Sequence, residues 1–227
     1  MRNRGYSPYT YENDFKYEQY VKGDKVNFLE AGAGPVGDCG SKPVGNIELT
    51  VRAVDPLAYV YQELKRAHKL ETKVNIEFAC VEHLADKFGK NEFDIVHMRN
   101  SLDHSFNPML GIMQMLYVTK VGGRVILNHL DNEAVYEKYV GMHQWNLQVT
   151  DNTFYIWKQD LKIDVADVLS DYVDIACTPS PPNRRTYHTV IIDKRKDVPL
   201  IEDPNRFLLL ERLFAEVLAT RYARIRR

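Results

Sequence analysis

The stretch "VNFLEAGAGPVGDCG" (26–40) holds four residues that could do chemistry together. Glu30 ends an apolar run, and Gly32, Gly34 and Gly37 follow it. The glycines spell G-x-G-x-x-G, a phosphate cradle when it joins a strand to a helix. Asp55 closes the next apolar run, "IELTVRAVD", about where an acid that binds ribose hydroxyls belongs. A glycine loop followed by such an acid describes an adenosine site. Two cofactors compete for it. A dinucleotide carries a pyrophosphate, which calls for a helix N-terminus directly after the glycines. Here Pro35, Lys42 and Pro43 crowd that region, and no apolar period follows. A nicotinamide fingerprint also usually has an apolar residue where this chain has Glu30. S-adenosylmethionine has no phosphate but carries a cationic sulfonium and a cationic amino group. An acid beside the loop then helps, and a helix dipole matters less. Charge favours S-adenosylmethionine.

Further candidates lie downstream. Asp103, His104 and Ser105 fall just after a predicted strand. His104 is a candidate base for a substrate proton, because imidazole titrates near neutral pH; Asp103 is its candidate helper. The structural alternative is a helix cap or loop tether ahead of Pro108. His129 and Asp131 end a later strand, and "HQWN" places His143 and Trp145 in an irregular region. These four are candidate contacts to a substrate; a packed Trp145 with satisfied polar neighbours is the alternative. His97, His104, His129 and His143 show no H-x-x-x-H or H-x-E-x-H spacing, so no metal site is expected.

The elements that must position these residues alternate. "KVNFLEAG" and "IELTVRAVD" read as strands, and "PLAYVYQELKRAHKL" as a helix with Leu57, Val60, Tyr61, Leu64 and Ala67 on one face. "VNIEFACV" is a third strand, "EHLADKFG" a short helical turn and "FDIVHMRN" a fourth strand. "NPMLGIMQMLYVTK" is a helix apolar all round, "VGG" a turn and "RVILNHL" a fifth strand. This is the pattern of a parallel sheet covered on both faces. The rhythm breaks at 131. "DNEAVYEKYVGMHQW" reads as a helix, and "WNLQVTDNTFYIWKQ" as two strands about an Asp151-Asn152 turn. "IDVADVLSDY" is a short helix. "VDIACTPS" and "YHTVIIDKR" are strands of a hairpin-like pair. An amphipathic helix over 205–227 closes the chain, and a short helix is expected near 13–21.

The 227 residues suit one domain. The net charge of −1 gives no reason to expect a nucleic-acid surface, although a local patch can hide in a neutral total. Three scattered cysteines without C-x-x-C argue against a disulfide framework. No apolar run approaches the ~18 residues of a membrane span, and residues 1–20 have no apolar core like that of a secretory leader. A cytoplasmic protein without a membrane partner is expected.

The motifs together resemble the class I S-adenosylmethionine-dependent methyltransferases. "VNFLEAGAGPVG" is similar to the family's first motif, "LTVRAVDPLA" to its acid-ended second strand, "NEFDIVHMRNSLDH" to its fourth region and "VTKVGGRVILNH" to its glycine-turn strand. The resemblance spans about 26–130. It implies an α/β, Rossmann-like, doubly wound, seven-stranded, mostly parallel sheet, here with an inserted hairpin segment at 131–162. It implies that Glu30, Gly32 and Gly34 hold the methionine end of S-adenosylmethionine and that Asp55 takes the ribose hydroxyls. Val81 and Glu82 would flank the adenine, and Arg99 and Asn100 would face the methionine moiety. Where many members carry an aspartate that reads the adenine amino group, this chain has Cys80.

The expectation is a single domain over 1–227 that methylates a small molecule, such as a sugar or another metabolite. Residues 1–25 would form a tyrosine-rich lid, and 131–162 would shape the acceptor pocket. The rivals are an NAD(P)-dependent oxidoreductase and a non-catalytic cofactor-binding scaffold.

Overall fold

The structure, a computed structural model, describes residues 20–21, 23–37, 47–70, 72, 74–179 and 187–201. The expected lid and helix before residue 20, the segment after Gly37, the 181–186 loop and the closing helix lie outside the described residues. Among the described residues, no helix is long and apolar enough to cross a membrane.

Strand β1 (Lys25–Ala31) lies between β2 (Glu48–Val54) and β4 (Phe93–Arg99), parallel to both. Its last four residues are all buried, as a central strand covered on both faces requires. Short β3 (Ile76–Glu77) extends the sheet beyond β2. On the other side come β5 (Thr119–Leu130), β10 (Tyr187–Lys194) and β9 (Val173–Thr178), giving the order β3-β2-β1-β4-β5-β10-β9. β10 runs antiparallel to both neighbours, as the predicted hairpin-like pair requires. The strand order reverses between β1 and β4. Ala31 pairs with Val54 on one side and Met98 on the other, so the loops after β1, β2 and β4 leave the sheet at one edge. That edge is where a doubly wound sheet binds ligands.

Helix α2 (Pro108–Val118) packs on this sheet with its Asn107 side chain capping Leu110 N–H. It is buried nearly all round, as its composition predicts. It sits so close to the 3₁₀ turn Val81–Asp86 that a Cβ on Gly111 would lie 3.0 Å from Val81 Cγ1. Helix α1 (Ala58–His68) differs from the expected face: Val60 and Leu64 are 39% and 49% exposed. Its inward residues are Ala58, Tyr61, Gln62 and Lys65; Gln62 Nε2 donates to the Ile76 carbonyl and Lys65 Nζ to Thr72. The third strand is shorter than the apolar run suggested.

The predicted "VGG" turn is a bulge inside β5. Thr119 pairs with Phe93 but Arg124 with Ile95, so the residues between are looped out. Beyond β5 the expected long helix is one turn, α3 (Glu133–Tyr136). Positive φ at Lys138, Tyr139 and Gly141 ends it. The predicted hairpin is present as β6 (Asn146–Thr150) and β7 (Thr153–Lys158), with positive φ at both Asp151 and Asn152, the geometry of a type I′ turn. A third strand, β8 (Leu161–Asp164), extends it before α4 (Val165–Leu169).

One buried cation braces the far end of the sheet. Lys194 is 1% exposed, and its Nζ donates to Asn91 Oδ1 at 2.7 Å and to the Thr119 carbonyl at 2.8 Å. Burial holds its pKa below the usual lysine value. Lys194→Met keeps the aliphatic packing but strands both acceptors, so stability should fall by about 1–3 kcal/mol. An unchanged urea midpoint would show that the ammonium is dispensable.

Candidate functional site

The loop after β1 is shaped by what lies behind it. Gly32 has φ +65°, and a Cβ there would meet Ser101 Oγ at 2.1 Å. Only glycine lets the β1 and β4 loops come this close. At Gly34, φ +64°, a Cβ would meet nothing within 4 Å among the described residues. Glu30 is buried beneath the loop, with Oε2 3.2 Å from where a Gly37 Cβ would sit. Asp55 joins this loop to α1. Its Oδ2 accepts the Gly34 N–H at 2.9 Å and its Oδ1 the Leu57 N–H at 2.8 Å. Burial raises the Asp55 pKa, and these two backbone donors oppose the rise. Each carboxylate oxygen keeps lone-pair capacity for another donor.

These groups open onto a cleft lined by Gly32, Asp55, Tyr61, Val81, Glu82, Ser101, His104 and Met142 among others. Burial and the Asp55 charge raise the Tyr61 pKa. Burial, with the Glu82 and Asp55 charges, pushes the Cys80 thiol up to about 12, so it stays protonated. Glu82 is itself 3% exposed, and Oε1 accepts from Phe106 N–H at 2.7 Å and Asn107 N–H at 3.2 Å. It therefore also pins the loop that carries His104.

Arg99 and Asn100, expected to face a methionine moiety, do not line this cleft. Arg99 stacks on Tyr187, with its guanidinium carbon 4.7 Å from the ring centroid. Asn100 has φ +47°, and its Oδ1 accepts from Leu130 N–H. The left-handed turn at Asn100 sends that side chain toward β5 and brings Ser101 under Gly32 instead.

At the mouth of the cleft three side chains converge. His143 Nδ1 lies 2.7 Å from Asp103 Oδ2 and 3.1 Å from His104 Nε2; His104 Nε2 is 3.4 Å from Asp103 Oδ2. The Asp103 carbonyl accepts from both Gln144 N–H and Trp145 N–H, which fixes the segment carrying His143. Burial pushes the Asp103 carboxyl up, but the His143 hydrogen bond and the histidine charges outweigh it, leaving it below its usual value. Burial lowers the His104 pKa against the pull of Asp103. The hydrogen bond to Asp103 raises that of His143.

The remaining candidates lie elsewhere. His129 is 1% exposed and is not among the residues lining the cleft. It opposes His188 across β5 and β10, with ring centroids 6.3 Å apart. Asp131 tethers β6 through Val149 N–H. Trp145 packs on the main core, with Lys158 Nζ 5.5 Å from its ring centroid. Sequence reasoning missed Ser101, Tyr61 and Met142. Tyr61 alone had a signal, lying on the predicted inner face of α1.

No family model and no curated protein sequence matches the chain. Solved structures do. The CurJ carbon methyltransferase aligns at a TM-score of 0.52 and 13% identity, over 79% of this chain and 51% of that one. A Haemonchus contortus phosphoethanolamine N-methyltransferase 2, solved with S-adenosyl-L-methionine, gives a TM-score of 0.52 and 13% identity over the same shares. The citrinin polyketide synthase CMeT domain gives 0.51 and 11%, over 77% and 47%. The chain thus spans about half the length of these structures. The likeness, with the sheet order above, defines the fold: α/β, Rossmann-like, that of the class I S-adenosylmethionine-dependent methyltransferases.

The loop geometry separates two glycines. Gly34→Ala meets only backbone strain and should cost about 1 kcal/mol. Gly32→Ala must also displace Ser101 and should cost clearly more, with Ser101→Gly restoring part of the loss. Equal losses in thermal melts would contradict the packing described. The buried histidines set an acid limit. Burial holds His129 at about 3 and His188 at about 4, against 6.5 for the free side chain. The folded state then binds fewer protons than the unfolded one, so the histidines' contribution to stability should fall as pH drops below about 6.5 and level off near 3. His129→Phe should flatten that slope between pH 6 and 4, about where the two states differ in protonation; an unaltered slope would contradict the assignment.

Proposed function

We propose that the chain is an S-adenosylmethionine-dependent methyltransferase acting on a small-molecule acceptor. The observation that carries this reading is the Asp55 carboxylate, buried at the switch-point edge on Gly34 N–H and open to a cleft that ends at His104. The residues fit the cofactor. Asp55 retains acceptor capacity for ribose hydroxyls, and the space above Gly34 lets a ligand reach the backbone. Val81 and Glu82 line the part of the cleft proposed for the adenine. The buried Glu30 places negative charge under the proposed methionine end, which suits a cationic sulfonium and ammonium better than a pyrophosphate.

Bound S-adenosylmethionine supplies an activated methyl group on a positively charged sulfur. The chain's share is then alignment, exclusion of water and handling of one proton. Met142 and His143, both from the expected insertion, bring that segment to the cleft mouth. In the metal-free protein, His104 takes the acceptor's proton. Its Nε2 is turned to the Asp103–His143 pair, which leaves Nδ1 as the receiving atom; Asp103 holds the ring and stabilises the imidazolium.

Asp55→Ala should weaken S-adenosylmethionine binding at least about tenfold, the loss of two hydrogen bonds to a charged acceptor. Unchanged calorimetric affinity would remove the ribose role. His104→Ala should slow methylation about a hundredfold and leave cofactor affinity unaltered. Full turnover in that variant would remove His104 as the base.

A further inference from the structure

Hydrogen bonds satisfy the Asp103–His104–His143 triangle poorly. If His143 Nδ1 carries a proton, it donates to Asp103 Oδ2 at 2.7 Å and cannot also accept from His104 Nε2 at 3.1 Å. If only His104 Nε2 carries one, the lone pairs of His143 Nδ1 and Asp103 Oδ2 face each other at 2.7 Å; if both rings carry a proton on these nitrogens, two hydrogens point into one small space. If neither does, three lone pairs face each other. One cation would satisfy all three atoms at once.

The geometry suits such an ion. The three contacts of 2.7, 3.1 and 3.4 Å form a triangle compact enough for an ion to stand roughly 2.1 Å from every corner, a usual distance to imidazole nitrogen and carboxylate oxygen. A second observation points the same way. Asp103 is 1% exposed, and its other oxygen, Oδ1, is buried with no hydrogen-bond partner among the described residues. That oxygen is free to join the coordination. The scaffold is rigid where it must be: Gln144 N–H and Trp145 N–H both end on the Asp103 carbonyl, binding the two ligand segments to each other.

We propose that Asp103, His104 and His143 form a binding site for a divalent transition-metal ion. Two imidazoles and one carboxylate select zinc, iron or a similar ion over magnesium or calcium, which prefer oxygen ligands. Three protein ligands leave positions open, and one of the three, His104, lines the cleft. On the methyl-transfer reading, the acceptor then belongs to a stated class: small molecules that reach the ion through an oxygen, with a hydroxyl as the group to be methylated. The ion lowers that hydroxyl's pKa; its O–H bond breaks, the electron pair stays on oxygen and the proton leaves to solvent. Linear spacing could not reveal this site, because His143 is 40 positions from Asp103.

The test is calorimetric titration of chelator-stripped full chain with zinc chloride, with the visible spectrum of the cobalt(II) form as a second readout. The wild type should bind one ion per chain. His104→Ala and His143→Ala should each weaken binding at least tenfold and abolish the cobalt bands. Both side chains are partly exposed, at 29% and 25%, so the variants should fold, and a thermal melt checks this. No stoichiometric binding by the wild type, or equal binding by the double variant, would overturn the proposal. S-adenosylhomocysteine is titrated separately into the same samples. Loss of zinc binding with intact nucleoside binding would sink only the metal site, and the converse only the methyltransferase reading.

Discussion

Two backbone N–H groups ending on one buried carboxylate hold the binding edge together. Asp55 takes Gly34 N–H from the loop after β1 and Leu57 N–H from the approach to α1. A carboxylate with this little exposure loses much of its hydration, and these donors replace it. The consequence is geometric. The glycine loop is tethered to the end of β2. Gly32 closes the same loop onto Ser101, and through it onto the end of β4. Three strand ends are thereby locked into one rim.

Asp103 does for the mouth of the cleft what Asp55 does for its floor. Its carbonyl holds the segment at 144–145, and its carboxylate holds His143. Glu82 anchors the next residues through Phe106 and Asn107 N–H. Buried carboxylates thus organise loops that have little apolar surface of their own. The Asp103 carboxylate brings two imidazoles within 3.4 Å of one of its oxygens.

Much of this was legible in the sequence. β1, β2 and β4 follow from apolar runs that end in an acid or a polar turn, and the β6–β7 hairpin follows from Asp151-Asn152, both at positive φ. The glycine loop and Asp55 were legible as well, because positive φ and an acid at a strand end leave residue-level marks. The helix expected over 131–145 failed because Lys138 and Tyr139 adopt left-handed backbone, which their residue types do not announce. β8 was missed because it is a short outer strand without buried residues. Arg99 and Asn100 lie off the cleft lining, and the turn at Asn100 brings Ser101 there instead. The three-way contact of Asp103, His104 and His143 depends on a fold that joins distant segments, so no local pattern carries it.

The central claim is that the rim built on Asp55 and the glycine loop binds a sulfonium nucleoside rather than a dinucleotide. A thermal-shift comparison of S-adenosylmethionine, S-adenosylhomocysteine, NAD and NADP on the full chain tests it most directly. A ligand at a hundred times its dissociation constant stabilises the folded state by about 2.7 kcal/mol, which such a melt resolves. The account predicts a shift with the two sulfur compounds and none with the dinucleotides. A shift with a dinucleotide alone would contradict it and return the chain to the oxidoreductases.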